Sequence, residues 1–323
     1  MEKIVVAGPF NEEMKNCVKA ELPDGFELVY ITSKDEYSKF NDADYIILRT
    51  LTITRDDVPH IKKAKLVQRW GVGVDSVDLQ ALGESGIPLG IASGVNSVSV
   101  SEMALALILA VLRNITASHN SMLAGKFEKE AFSPRSYTLN GKTVGIIGFG
   151  NIGKKVARLC QAFGVKEVIY NDPIRLTPEQ EKELYVSYKP LDELFKQSDI
   201  VSLHAPFTEE TRNIINKESL SKMKDNSVLI NTAREELVDL NALAEALRSK
   251  KLLGAGIDAI EKHVLENNPL AEFSNVVHTP HLAGNTADNY AQAAKLSMRN
   301  IVKVSRGEAL DPADFANAKY MKT

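Results

Sequence analysis

Three groups of residues in this chain have the types and spacing to do chemistry together. The first is Gly148-Phe149-Gly150-Asn151-Ile152-Gly153, a GxGxxG run that follows the apolar stretch 144–147 and opens a stretch of helical apolar spacing. In such a run Gly148 allows a tight turn, Gly150 lets a pyrophosphate approach the backbone, and Gly153 lets helix and strand pack closely. The helix amino terminus, with its N–H groups and partial positive charge, suits phosphate. The second is Asp172, nineteen residues after Gly153 and just past a second apolar run, 168–170. Its carboxylate can accept hydrogen bonds from both ribose hydroxyls and repels a 2′-phosphate, so the pocket is expected to take NAD rather than NADP. The third comprises Asn231-Thr232-Ala233-Arg234, residues 254–258 ending at Asp258, and Thr279-Pro280-His281-Leu282-Ala283-Gly284. Each lies just past an expected strand, offering a guanidinium, a carboxylate and an imidazole to a cleft that holds the nicotinamide. Hydride transfer to a 2-oxo acid needs a cation for the carboxylate and carbonyl oxygen, and a proton donor for the developing alkoxide. Arg234 supplies a planar fork and His281 a proton near neutral pH.

These residues need a scaffold, and the hydrophobic pattern describes one. Strand patterns at 4–7, 26–31, 45–49, 64–70 and 88–92 alternate with helical patterns such as 11–22 and 54–63. A long apolar helix over 101–123 interrupts the series. A second alternating series follows, with strands at 145–147, 168–170, 200–203, 227–231, 254–257 and 276–278, and a last helix spans 288–306. Such alternation predicts parallel sheets covered by helices. The expected class is α/β, with two Rossmann-like doubly wound parallel-sheet domains. An NAD-binding domain, 98–286, would be inserted into an outer, substrate domain built from 1–97 plus 287–323. Ligand is expected between them, at the carboxyl ends of the strands.

Bulk properties exclude several classes. With 39 basic and 42 acidic residues, the net charge of −3 gives no field suited to a nucleic-acid backbone. Cys17 and Cys160 stand alone, so neither a disulfide framework nor a metal site is expected, and both suit small buried hydrophobes. Residues 1–3 run directly into a strand with no signal-peptide pattern, and the apolar run 103–112 is too short to span a bilayer. The expected location is cytoplasmic. His60, His119 and His278 fall in helix or strand patterns and read as structural, while His204, in His204-Ala205-Pro206, reads as shaping the cofactor loop.

Several dispersed motifs, in order, carry a family resemblance. They are Arg69-Trp70-Gly71-Val72-Gly73-Val74-Asp75, Asn96-Ser97-Val98-Ser99-Val100-Ser101-Glu102, the 141–153 segment, His204-Ala205-Pro206, and the three strand-end segments above. From about residue 45 to 306 the chain resembles the D-2-hydroxyacid dehydrogenases, which include D-lactate, glycerate and phosphoglycerate dehydrogenases. The resemblance implies that Arg234 binds the substrate carboxylate and orients the carbonyl, and that His281 is general acid in reduction and base in oxidation. Arg69 and the backbone around Val72 and Gly73 would hold the substrate from the outer domain. Val72, Gly148, Gly150, Asn151, Ile152, Gly153, Asp172, Pro206, Thr232, Ala233, Arg234, Asp258, His281, Ala283 and Gly284 would line the NAD site. It also implies a homodimer, with the helix after Ser101 and the segment to Asn140 packed on the partner.

Two positions depart from the family pattern. The glutamate that pairs with the catalytic histidine usually stands five residues after the aspartate at Asp258; here that position is His263. An imidazole cannot stabilise an imidazolium as a carboxylate does, so either Glu261 or Glu266 substitutes through a shifted loop or His281 works without a carboxylate. The second departure is Glu235, where glycine commonly follows the arginine; the simple expectation is an exposed side chain on a tolerant turn. Trp70 is open to two readings, core packing or a narrowed substrate pocket. The missing glutamate gives footing to an alternative, a non-catalytic NAD(H)-binding regulator of the corepressor type on the same fold. The 2-oxo acid is expected to carry a small or apolar side chain, because no basic cluster marks a phosphate pocket near 50–53, 70–74 or 94–97.

Overall fold

Runs of Ile, Val and Leu between glycine or polar turns form parallel strands throughout, in a computed structural model that describes residues 1–321. Positions 322–323 of the expected outer segment lie outside the described residues. The chain divides into one unit of Met1–Asn96 joined by the chain from Thr286 onward, and a second of Ser97–Asn285.

The first unit carries β1 (Glu2–Ala7), β2 (Phe26–Ile31), β3 (Tyr45–Leu48), β4 (Leu66–Arg69) and β5 (Leu89–Gly90), in the order β2-β1-β3-β4-β5. Its central strands are apolar on both faces: Val5, Ala7, Ile46 and Leu48 point into one cluster, Ile4, Val6, Tyr45 and Ile47 into the other. That is the signature of a parallel sheet covered on both sides. The helix Ala287–Ser305 packs on the second cluster through Ala294, Met298 and Ile301.

The second unit carries β6 (Thr143–Ile147), β7 (Glu167–Asn171), β8 (Val186–Tyr188), β9 (Ile200–Leu203), β10 (Ser227–Asn231), β11 (Leu252–Ile257) and β12 (Val276–His278). Their order is β12-β11-β10-β9-β6-β7-β8, so the winding reverses between β6 and β9, the place where doubly wound sheets open a crevice for ligand. Both units are α/β with all-parallel sheets, the class expected.

Local differences from the periodicity have physical causes. The single helix expected over 101–123 is two, Ser97–Leu112 and Ile115–Leu123, bent by 62°. Asn114 sits between them in the left-handed region (φ 51°), which asparagine tolerates better than most residues. Residues 55–61 wind as a 3₁₀ helix around an internal proline, Pro59. The pattern gave no warning of β8, which has only three residues. Cys160 is fully buried, and burial pushes its thiol up to about 12, as befits a small hydrophobe.

In the first unit a buried amide pair fixes the root of the 70–74 loop. Gln68 is fully buried; its amide donates to the Arg69 carbonyl at 2.8 Å and its oxygen accepts from Asn300 Nδ2 at 3.0 Å. Arg69 Nε in turn donates to the Gly73 carbonyl at 2.9 Å, closing the loop on itself. Asn300→Leu strands a buried Gln68 acceptor and is expected to cost about 1–3 kcal/mol, read as a lowered thermal midpoint.

Candidate functional site

The glycine turn has the geometry a dinucleotide pyrophosphate needs. Gly148 follows β6 at φ +89°, where a Cβ would stand 2.4 Å from the Ala205 backbone nitrogen. A Cβ on Gly153 would meet the Gly148 carbonyl oxygen at 2.3 Å, whereas one on Gly150 would meet open space. Gly150 caps the helix Asn151–Ala162, whose first turn carries no acidic residue to compete with phosphate. Asp172 lies one residue past β7; its carboxylate accepts the Phe149 N–H at 2.7 Å and the Ile174 N–H at 2.8 Å. These bonds aim it from the glycine turn outward, with lone pairs left over for ribose hydroxyls. The residues therefore fit NAD. Gly150, Asn151 and Pro206 are exposed beside this turn, while Thr232, Ala233 and Ala283 are buried.

His204 closes the floor between β6 and β9. Its N–H donates to the Ile147 carbonyl at 2.7 Å, and its ring meets Ser202 Oγ at 2.8 Å and Thr232 Oγ1 at 3.4 Å. Burial pushes the imidazole down to about 3, so it is neutral at ordinary pH and serves as a hydrogen-bonding wedge.

The turns that carry Arg234 and His281 are organised by two buried polar side chains. Asn231, 1% exposed, donates from Nδ2 to the Arg234 carbonyl at 2.7 Å and accepts the Ala233 N–H at 2.9 Å, folding the 232–234 turn. Arg234 Nη1 donates to the Ala233 carbonyl at 2.7 Å, which aims the guanidinium. Asp258, read from sequence as a carboxylate facing the cofactor, is fully buried. Its oxygens accept the Leu282 N–H at 2.8 Å, the Ala283 N–H at 2.9 Å and the Thr279 hydroxyl at 2.5 Å. These bonds build the turn that presents His281. That turn holds His281 at φ +53°, a conformation that costs a non-glycine residue on the order of 1 kcal/mol and persists only where surroundings impose it.

The loop after β11 settles which residue meets the histidine. His281 Nδ1 lies 2.8 Å from Glu261 Oε1. His263, expected to stand in the partner's place, is 74% exposed on its side chain and pairs with Glu235 at 3.3 Å. Glu235, expected to be an exposed residue on a tolerant turn, is only 14% exposed on its side chain and also accepts the Glu261 N–H at 2.9 Å. The two-residue difference arises because the chain turns sharply at Ile260, whose N–H reaches back to the Asp258 carbonyl at 3.0 Å while its side chain is buried. Glu266 is exposed. Asn231 carried no functional signal beyond closing a strand. In the first unit Trp70 packs edge-on against Phe10, ring centres 5.0 Å apart, which is core packing.

Comparison with known proteins agrees with this geometry. Residues 105–283 match the sequence model of the D-isomer specific 2-hydroxyacid dehydrogenase NAD-binding domain. The chain belongs to this family of NAD-dependent oxidoreductases. It is 42% identical over 260 residues to a hydroxypyruvate reductase of Thermotoga maritima, covering 79% of this chain and 83% of that one. It is 35% identical over 313 residues to a D-3-phosphoglycerate dehydrogenase of Methanocaldococcus jannaschii, covering 95% of this chain but only 58% of the relative. Among solved structures it is similar to an NAD-dependent formate dehydrogenase from Staphylococcus aureus in complex with NAD, with TM-score 0.85, 29% identity, and coverage of 97% and 98%.

Desolvation of His204 makes the fold acid-sensitive, with the exposed His278 adding little. Desolvation lowers His204 and, less strongly, His278, so the unfolded chain binds protons there that the folded chain refuses. Their contribution is fully present above the unfolded value near 6.5 and is lost as pH falls below it. Between pH 6.5 and 5 unfolding stability is expected to drop by about 1 kcal/mol per pH unit or slightly more, measured by urea titration. His204→Gln should flatten that slope.

Proposed function

We propose that the chain interconverts a 2-oxo acid and a D-2-hydroxy acid by hydride transfer with NAD, using His281 as general acid and base and Arg234 as anchor. The observation that carries this reading is the 2.8 Å contact between His281 Nδ1 and Glu261, in the same unit as the NAD-binding turn. A carboxylate on Nδ1 orients the ring and leaves Nε2 as the nitrogen that gives or takes the proton. Bound NADH supplies the hydride. In reduction the carbonyl oxygen gathers charge, His281 Nε2 delivers a proton to it, and the ring is left neutral with its Nδ1–H directed at Glu261. In oxidation the same nitrogen takes the hydroxyl proton. Arg234 binds the carboxylate of the acid in a planar two-pronged contact and polarises the neighbouring oxygen. Arg69, Val72 and Gly73 are assigned to the substrate side, on a loop closed by the Arg69 to Gly73 bond.

Small 2-oxo acids such as glyoxylate and hydroxypyruvate are the proposed substrates. Relatives named glyoxylate reductase and hydroxypyruvate reductase support this, each covered over 83% of its length. Among the described residues no single helix is long and apolar enough to cross a membrane; we assign the protein to the cytoplasm. A homodimer is proposed on the exposed apolar side chains that follow the bend at Asn114. Ile115, Met122, Leu123 and Phe127 are 53%, 57%, 74% and 81% exposed, more apolar surface than one short segment of a monomer commonly shows.

NADH oxidation against a panel of 2-oxo acids tests the activity. Arg234→Ala is expected to lower kcat/KM about 100-fold or more. NADH binding with no acid reduced would return the regulator reading. Light scattering is expected to show a dimer that Leu123→Asp with Phe127→Asp converts to monomer; an unchanged mass would sink that assignment.

A further inference from the structure

We infer that Glu235 and His263 form a clamp that positions Glu261 against His281. Glu235 is an acid on the turn after β10, held largely out of solvent, with a side chain only 14% exposed. A carboxylate in that setting needs partners, and the donor and the ion-pair partner it has both belong to the loop after β11. One oxygen takes the Glu261 N–H at 2.9 Å and the other lies 3.3 Å from His263 Nε2. Glu261 is the residue whose own carboxylate meets His281 Nδ1. The bond therefore fixes the backbone of the very residue that orients the histidine.

Little else fixes that backbone. The short 3₁₀ turn Lys262–Asn267 buries none of its residues, and only Val264 packs partly against the core. On its near side the loop is tied by the Ala259–Pro280 bridge, two residues before Glu261. The Glu261 and His281 side chains are themselves 53% and 43% exposed, so their contact alone contributes modestly. One hydrogen bond and one ion-pair contact from a single carboxylate, on either side of Lys262, hold the turn where the isolated pair would not. Because Glu235 directly follows Arg234, the clamp also joins the turn carrying the anchor to the loop carrying the histidine's partner. The charged groups around the pair are Glu261 on Nδ1, the Asp258 carboxylate under the Leu282 and Ala283 N–H groups, Glu235 and His263, with Lys262 and Glu266 exposed on the turn. Glu235 and His263 are positioning residues. Their role rests on the reading of His281 as the proton-transfer group.

The test reads the ring nitrogens of His281 by ¹⁵N NMR at a pH where the ring is neutral, alongside steady-state reduction of glyoxylate. The unsubstituted protein should show the Nδ1–H tautomer, and Glu261→Ala a mixture. Glu235→Ala is expected to give the same mixture and to lower kcat about tenfold with KM within about twofold. Glu235→Gln keeps an acceptor for the Glu261 N–H and should restore most of both, while His263→Ala should shift the tautomer part-way. The Glu235→Ala/Glu261→Ala pair should lose no more than Glu261→Ala alone. An unchanged tautomer in Glu235→Ala, or additive losses in the pair, overturns the clamp. If Glu235→Ala does not fold, Glu235→Asp serves, since the shorter acid cannot span both partners and an unchanged tautomer there is equally decisive. The tautomer is read without turnover, so a protein that reduces no acid yet loses Nδ1–H on Glu235→Ala refutes the dehydrogenase reading and keeps the clamp.

Discussion

A fully buried carboxylate at the end of β11 is the constraint on which the turn carrying His281 depends. Asp258 accepts hydrogen bonds from Thr279, Leu282 and Ala283, and its carbonyl takes the His281 N–H at 2.9 Å. Hydrogen bonds to a charged group contribute about 1.5–3 kcal/mol each, and a buried charge without them is not tolerated. The turn around His281 therefore has one arrangement, the one that satisfies Asp258. The imidazole is presented as a consequence.

Asn231 repeats the device one strand over. Its amide gives and takes a bond within the turn that carries Arg234. The nucleotide half obeys a related rule with the parts reversed: the Asp172 carboxylate takes the Phe149 and Ile174 N–H groups, so the glycine turn orients the acid. In each case a parallel strand delivers a polar side chain to the sheet's carboxyl edge, and that side chain ties a neighbouring turn in place. Rigid sheet geometry thus becomes side-chain aim without help from the apolar core beyond holding the strands.

Where the chemistry is local in sequence, it was legible. The GxGxxG turn, Asp172 at its fixed distance and the strand-end positions of Arg234 and His281 follow from period and spacing, and the parallel sheets follow from alternation. What periodicity could not convey is contact between distant turns. Glu235 and His263 read as two unrelated departures from a family pattern, yet they are the two ends of one ion pair, 28 residues apart in the chain. Their meeting depends on a sharp turn at Ile260 that no propensity announces. The structural role of Asp258 was hidden for a similar reason, because its donors lie more than twenty residues further along the chain. The bend at Asn114 escaped notice because the apolar pattern runs on across it.

The positive φ of His281 changes how any substitution there must be interpreted. The residue carries its ring and a backbone shape at once, and most replacements disturb both. A branched side chain is driven toward the β region and would pull on the Asp258 bonds, so its effect would report a deformed turn as much as a missing imidazole. Asparagine enters the left-handed region readily. It removes the imidazole and leaves the backbone habit intact, making it the substitution that separates what the ring does from what the turn does.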